Sequence, residues 1–340
     1  MLPEACTPRL APAADVNHHL LGRALDGRDA GRLRRDCLDR LSRTLSETRA
    51  DTVILSYEDF AVQRPGLCVP SVLADIFARH DFGMDVALVV KPQAEQLTSA
   101  YALRTQLIAE PRTFEEFVRR EGSSGRYDYV ARLEPWRRAA EGRVVALPVR
   151  DLCSEAPLLV RLVESLGLYA RLGPLLSPDD LTYRTNRSAG PVAVEASRRL
   201  HGLGLHRMTT GRHPRRLGHL LDDLAQARGL DAEPFRGNAP NALAKVEAGH
   251  GPANERLAAI CWGRGWDAVV ARVPMRPPNE LAGRPIPPEI EAQVDRLVTE
   301  MTARVAFRTP PAWLRRLDGI VERGVERIAD LAGRPAWRVR

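Results

Sequence analysis

Asp85-Val86-Ala87-Leu88-Val89-Val90-Lys91-Pro92-Gln93-Ala94-Glu95-Gln96-Leu97-Thr98-Ser99-Ala100-Tyr101 is the stretch on which the reading of the whole chain turns. Its first part, Val86 to Val90, is an uninterrupted apolar run with the composition of a strand buried in a parallel sheet. Pro92 stands where a helix tolerates proline, at its opening, and the residues from Ala94 to about Ile108 read as a helix bearing Ser99 and Tyr101. A strand that delivers a cation at its carboxyl end and runs straight into a helix is how α/β proteins build anion sites. Lys91 is one of only two lysines in the chain, the other being Lys245, so it is not part of a general lysine coat.

Outward from this stretch, strands and helices alternate. On the N-terminal side, residues 17–25 and Ala30 to Thr48 have helical spacing, with Leu33, Cys37, Leu41 and Leu45 on one face of the second helix. Val53-Ile54-Leu55-Ser56-Tyr57 reads as a short buried strand ending at Glu58, and a helix from Ser71 to His80 leads to Asp85. On the C-terminal side, Thr113-Phe114-Glu115-Glu116 is a capping box that opens another helix. A loop at Gly122-Ser123-Ser124-Gly125, a helix from Tyr127 to Glu141, a third strand from Arg143 to Leu147 and a helix from Ala156 to Leu166 follow. This alternation predicts an α/β core with a parallel sheet covered on both faces over residues 15–176. From Ser177 to the end, the pattern is helical, broken by prolines between Pro274 and Pro288. Ile290, Val294, Leu297, Met301 and Val305 form the stripe of a packed helix over Glu289 to Ala306. Residues 313–331 repeat that amphipathic pattern and read as a packed terminal helix, so 177–340 is expected to be a mainly helical C-terminal part.

Composition bounds the function. The chain has 340 residues, 44% hydrophobic and 27% charged, as expected of a folded globular protein. The net charge of +7 favours anionic ligands in general, but it is spread as arginine along the whole length, so nucleic acid is not an expected partner. Cys6, Cys37, Cys68, Cys153 and Cys261 are odd in number and show no zinc or redox spacing, which points to a reducing compartment. No apolar run approaches the ~20 residues that span a bilayer, and the start of the sequence has no signal-type stretch, so a cytoplasmic location is expected. His206, His213, His219 and His250 lack metal-ligand spacing, and no metal site is expected. Arg207, Arg212, Arg215 and Arg216 read as an exposed loop.

Lys91 and Ser99 stand eight residues apart in Val-Val-Lys91-Pro-Gln-Ala-Glu-Gln-Leu-Thr-Ser99-Ala-Tyr101. That stretch resembles the strand, turn and helix with which sulfotransferases hold the 3′-phosphate of 3′-phosphoadenosine-5′-phosphosulfate (PAPS). Further landmarks are similar to the bacterial branch of that family, in the same order. They are Asn17-His18-His19-Leu20, Ile54 to Phe60, Phe114 to Phe117, Tyr127-Asp128-Tyr129 with Leu133-Glu134-Pro135-Trp136, Asn186-Arg187-Ser188, and Asn254 to Ala258 with Trp262-Gly263 and Trp266. The family has arginine where Lys91 stands; lysine keeps the charge and gives up the bidentate geometry.

The resemblance implies a P-loop-type sulfotransferase fold, with PAPS as co-substrate and no metal. The acceptor would carry a hydroxyl or amine, as a carbohydrate does. It implies cofactor-binding roles for Lys91 and Ser99, and a general-base role for Glu58 at the end of the preceding strand. Glu58 reads equally as a strand-end cap or ion-pair partner. The family's phosphosulfate-binding strand, loop and helix have no counterpart before Asn17. The expectation is therefore either that the loop lies upstream of this sequence or that catalysis is lost, leaving a non-catalytic binding protein on the same scaffold.

Overall fold

The computed structural model describes residues 21–22, 25, 32–57, 60, 68–182, 188–205, 213–274 and 276–308. Among them the elements run α1 (Arg32–Glu47), α2 (Val69–Ala78), β1 (Val86–Val90), α3 (Gln93–Gln106), α4 (Phe114–Glu121), α5 (Tyr129–Ala139) and β2 (Val144–Pro148). There follow α6 (Leu158–Ser165), α7 (Tyr169–Leu172), α8 (Pro178–Thr182), α9 (Pro191–Gly202), α10 (His213–Ala227), α11 (Pro240–Trp262) and α12 (Pro288–Arg308). The architecture is α-rich, with helices flanking a small parallel sheet of two strands. No helix among the described residues is long and apolar enough to cross a membrane. The helices expected before residue 32 and after residue 308 lie largely or wholly outside the described residues.

Two expectations are corrected. Val53 to Tyr57 forms no strand. A strand exists only with a ladder partner, and among the described residues β1 pairs with β2 alone. Val53 and Leu55 pack against a core cluster while Ile54 stands 60% exposed. Cover of the sheet is complete only at β2, where the adjacent Ala146 and Leu147 are both buried; β1 is open on one face. Burial alternates along β1: Val86, Leu88 and Val90 pack inward, whereas Ala87 is exposed and Val89 is 43% exposed.

The chain divides into two compact units. The described residues of the first fall within Met1–Leu97, Val118–Thr185 and Ala239–Met275. Its strands are in parallel register from Val86 opposite Val144 to Val90 opposite Pro148. Pro148 can close the ladder because it has no N–H left to place. One core cluster joins Val90 and Ala146 to Tyr129, Val130 and Leu133 of α5, Leu257 and Ala258 of α11, and Trp266. A second joins Leu41 and Leu45 of α1 to Leu73 and Ile76 of α2, with Trp136 of α5 packed against it. Thus α5 serves both cores, one on each side of its apolar surface.

The described residues of the second unit fall within Thr98–Phe117, Asn186–Asn238 and Arg276–Arg340. Here α9 is buried from Val192 to Ser197 and packs on α10 and α12. The expected stripe on α12 is present, with Val294, Leu297 and Met301 fully buried. The capping box is also present: Thr113 donates its N–H to Glu116 Oε2 (2.9 Å), and Glu116 N–H returns to Thr113 Oγ1 (3.3 Å).

Candidate functional site

After Val90 the chain turns through Lys91 and Pro92 into α3. Tyr129, at the start of α5, donates its hydroxyl to the Lys91 carbonyl at 2.6 Å. The Tyr129 ring stacks on Trp266, with centroids 6.0 Å apart and planes 19° from parallel, and the Arg132 guanidinium lies 5.9 Å from the Tyr129 centroid. Burial pushes the Tyr129 phenol up to about 12, against the opposing pull of its hydrogen bond to Lys91, so the hydroxyl keeps the proton it donates. Asp128 sets α5 in position by accepting Ala131 N–H at 2.9 Å as its N-cap.

The first residue of α3 is held more tightly still. Gln93 is fully buried and exchanges two amide hydrogen bonds with Asn254 of α11, Nε2 to Oδ1 at 2.8 Å and Nδ2 to Oε1 at 2.9 Å. Gln93 Nε2 also donates to the Tyr127 carbonyl at 3.1 Å. Next, Ala94 N–H donates to Glu247 Oε1 at 2.8 Å, and Glu247 Oε2 faces Arg272 at 3.4 Å. Glu95 pairs with Arg150 and accepts Val273 N–H at 2.9 Å, which ties the segment after Val270 to the first turn of α3. Both carboxylates sit where a helix dipole favours negative charge. The start of α3 is therefore already furnished with internal anions, each paired with an arginine.

The neighbouring strand end is closed in its own way. Arg161, buried on α6, donates to the Pro148 carbonyl at 2.9 Å and the Val149 carbonyl at 3.1 Å, and faces Asp151 at 3.3 Å. Trp262 Nε1 donates to the Ala146 carbonyl at 2.8 Å. Trp266 N–H donates to Glu255 at 3.2 Å.

The sequence-derived residues fall out unevenly. Lys91 is half-buried at the carboxyl end of β1, on the expected strand-to-helix turn. Ser99 is half-buried on α3, in the portion belonging to the second unit. Glu58 lies outside the described residues, as do His18, His19, His206, Arg207, Arg212 and the side chains of His213, Arg215 and Arg216. His219 is exposed, and His250 Nε2 donates to the Gly122 carbonyl at 2.9 Å. Among the described residues no group of three metal-ligating side chains comes together.

Four residues of the site had no role assigned from sequence: Gln93, Tyr129, Glu247 and Asn254. Gln93 lies inside the opening stretch, and Tyr129 and Asn254 are landmarks of the resemblance, so they were in view. Their partners were not, because those stand far away along the chain. No family model, curated protein or solved structure matches this chain.

Proposed function

We propose that this chain is a sulfotransferase-like protein built on a P-loop-type sulfotransferase fold. In this reading Lys91 and Ser99 hold the 3′-phosphate of PAPS, and Glu58 takes the proton of an acceptor hydroxyl or amine. The observation that supports it is a convergence. Tyr127, Tyr129 and Asn254, scattered landmarks of the resemblance, all bond to the turn that presents Lys91. A turn fixed by buried bonds holds a cation in one place before a ligand arrives, which is the condition for binding or transfer by electrostatic positioning.

The test is calorimetric titration with adenosine 3′,5′-bisphosphate, the product of PAPS-dependent transfer. The expected result is binding by the unaltered chain and affinity lower by about tenfold or more in Lys91→Ala, the loss of one charge-assisted phosphate contact. A chain that does not bind the bisphosphate, or binds it equally well without the Lys91 ammonium, overturns the proposal.

One observation favours a second reading, a non-catalytic binding protein on the same scaffold: the Ala94 amide is taken by the chain's own Glu247 carboxylate. Bisphosphate binding without sulfuryl transfer from PAPS to hydroxyl or amine acceptors would decide for it.

A further inference from the structure

In the first unit, one edge of the sheet and one segment beside the same core both lack backbone partners. Val86 N–H donates to the Arg143 carbonyl at 2.7 Å, and the Val90 carbonyl accepts Val149 N–H at 2.8 Å, so the even-numbered residues of β1 turn their backbone groups toward β2. In a parallel ladder Ala87 and Val89 turn theirs to the opposite edge, where no strand pairs with them among the described residues. Val53, Ile54 and Leu55 run without helix or turn, and their backbone groups have no partner among the described residues either. Val53 and Leu55 are half-buried and Ile54 is exposed, the alternation of a strand with one wet face. Val53 and Leu55 pack against the same core cluster as Val86, and Leu73 and Ile76 of α2, the helix between the two segments, belong to it. A helix crossing over between two such segments is the connection that parallel strands require.

We propose that residues 53–57 are a strap that closes on the β1 edge as a third, parallel strand, covering an edge whose Val-Ala-Leu-Val-Val run has no lysine, proline or bulge to guard it. The register follows from burial and from the groups still free. Inward residues face inward ones, and Val86 is the β1 residue packed on the same cluster, so Val53 or Leu55 stands opposite it. With Leu55 there, Val89 N–H would need the Tyr57 carbonyl, which already accepts Phe60 N–H at 3.2 Å. With Val53 opposite Val86 and Leu55 opposite Leu88, Ala87 N–H donates to the Val53 carbonyl, Leu55 N–H to the Ala87 carbonyl and Val89 N–H to the Leu55 carbonyl. All of these groups are without a partner while the strap is open. Ile54 then lies beside Ala87 on the exposed face. Closure trades bonds to water for three ladder bonds and orders a short segment, two effects that oppose one another, so the open and closed arrangements exchange. None of the side chains assigned to nucleotide binding takes part.

Paired cysteines test this. Ile54 and Ala87 are both exposed, so replacing them opens no core, and closure brings them to the spacing of neighbouring strands, about 4.8 Å, within disulfide reach. Oxidised under native conditions, I54C/A87C is expected to form an intramolecular disulfide between those two positions, located by peptide mapping. Its yield is expected to exceed that of the diagonal pair I54C/V89C by about tenfold or more, because the diagonal distance of about 7–8 Å is too long to bridge. Amide hydrogen exchange of the unaltered chain gives a second readout. The Leu55, Ala87 and Val89 amides are expected to exchange about tenfold or more slowly than the Ile54 amide, which closure turns away from β1, after correction for intrinsic rates. A disulfide no more abundant in I54C/A87C than in I54C/V89C, or Ala87 and Val89 amides as fast as that of Ile54, overturns the proposal. So does protection that rises with protein concentration, since it would assign the edge to a second copy of the chain.

Discussion

Gln93 does more to fix the turn after β1 than Lys91 does. It is wholly enclosed and its amide serves both Asn254 and the Tyr127 carbonyl. Leaving a buried polar group unpaired costs about 1–3 kcal/mol, more than a hydrogen bond contributes net. Gln93→Leu strands both the Asn254 amide and the Tyr127 carbonyl, and is expected to lower unfolding free energy in urea by about 2–4 kcal/mol. Gln93→Leu with Asn254→Leu should cost less than the sum of the two single changes, because the second substitution removes the orphan left by the first. Additive losses would show that the amide pair is not the unit of stability. Lys91 was legible in the sequence through its rarity and its place after an apolar run. Gln93 was not, because its partner stands 161 residues away and nothing local separates a buried amide from a solvated one.

Among the elements, the ones readable in the sequence are those whose defining bonds are local. The Thr113 to Glu116 capping box closes within three residues, and α12 declares itself by a stripe every three or four. The segment from Val53 to Tyr57 has a strand's composition and still forms none, because pairing is a property of two segments and its composition names no partner. Helix packing likewise hides in a single residue. Gly218 of α10 lies so close to the end of α3 that a Cβ there would stand 1.4 Å from the Gln106 carbonyl oxygen. The obstacle is backbone, which cannot swing aside as a flexible side chain can. Gly218→Ala is expected to force the two helices apart and cost about 3 kcal/mol, at the upper end of overpacking penalties. Urea denaturation reads this directly. A cost below the ~1 kcal/mol that alanine's helix propensity offers in compensation would mean the approach is looser than the geometry requires.

Across the whole molecule, the carboxyl shifts follow burial. In the second unit Asp222, Asp231 and Glu280 all have their carboxyls raised, in each case chiefly by burial. Hydrogen bonds oppose that shift: Gln226 to Asp222, the Val192 and Ala193 amides to Asp231, and the Asn238 and Phe114 amides to Glu280. Carboxyls nearer the surface are instead lowered by their hydrogen-bond partners: Asp51 by Arg171 and Glu134 by Arg137 with Arg138 in the first unit, and Glu116 by Thr113, Glu233 by Arg236 and Glu291 by Arg199 in the second. A carboxyl raised on folding binds more protons in the native state, so its favourable contribution is full below its unfolded value and is lost as pH rises through the folded one. The contributions of Asp222, Asp231 and Glu280 should therefore fall as pH climbs from about 4 toward neutrality. Asp222 is the sharpest case. Its Oδ1 is buried without a hydrogen-bond partner, and the nearby Asp231 and Asp223 add repulsion that His219 only partly offsets. Asp222→Asn keeps the shape and an oxygen to accept from Gln226, and it removes the charge. At neutral pH the variant is expected to be more stable than the unaltered chain, with the difference shrinking toward pH 4, where the unfolded carboxyl takes up its proton. Amide hydrogen exchange of α9 and α10, corrected for intrinsic pH dependence, should show the same trend while α5 and β1 of the first unit do not follow it. A variant no more stable at neutral pH than at pH 4, relative to the unaltered chain, would mean that the Asp222 charge is satisfied in the folded state and that burial does not govern this carboxyl.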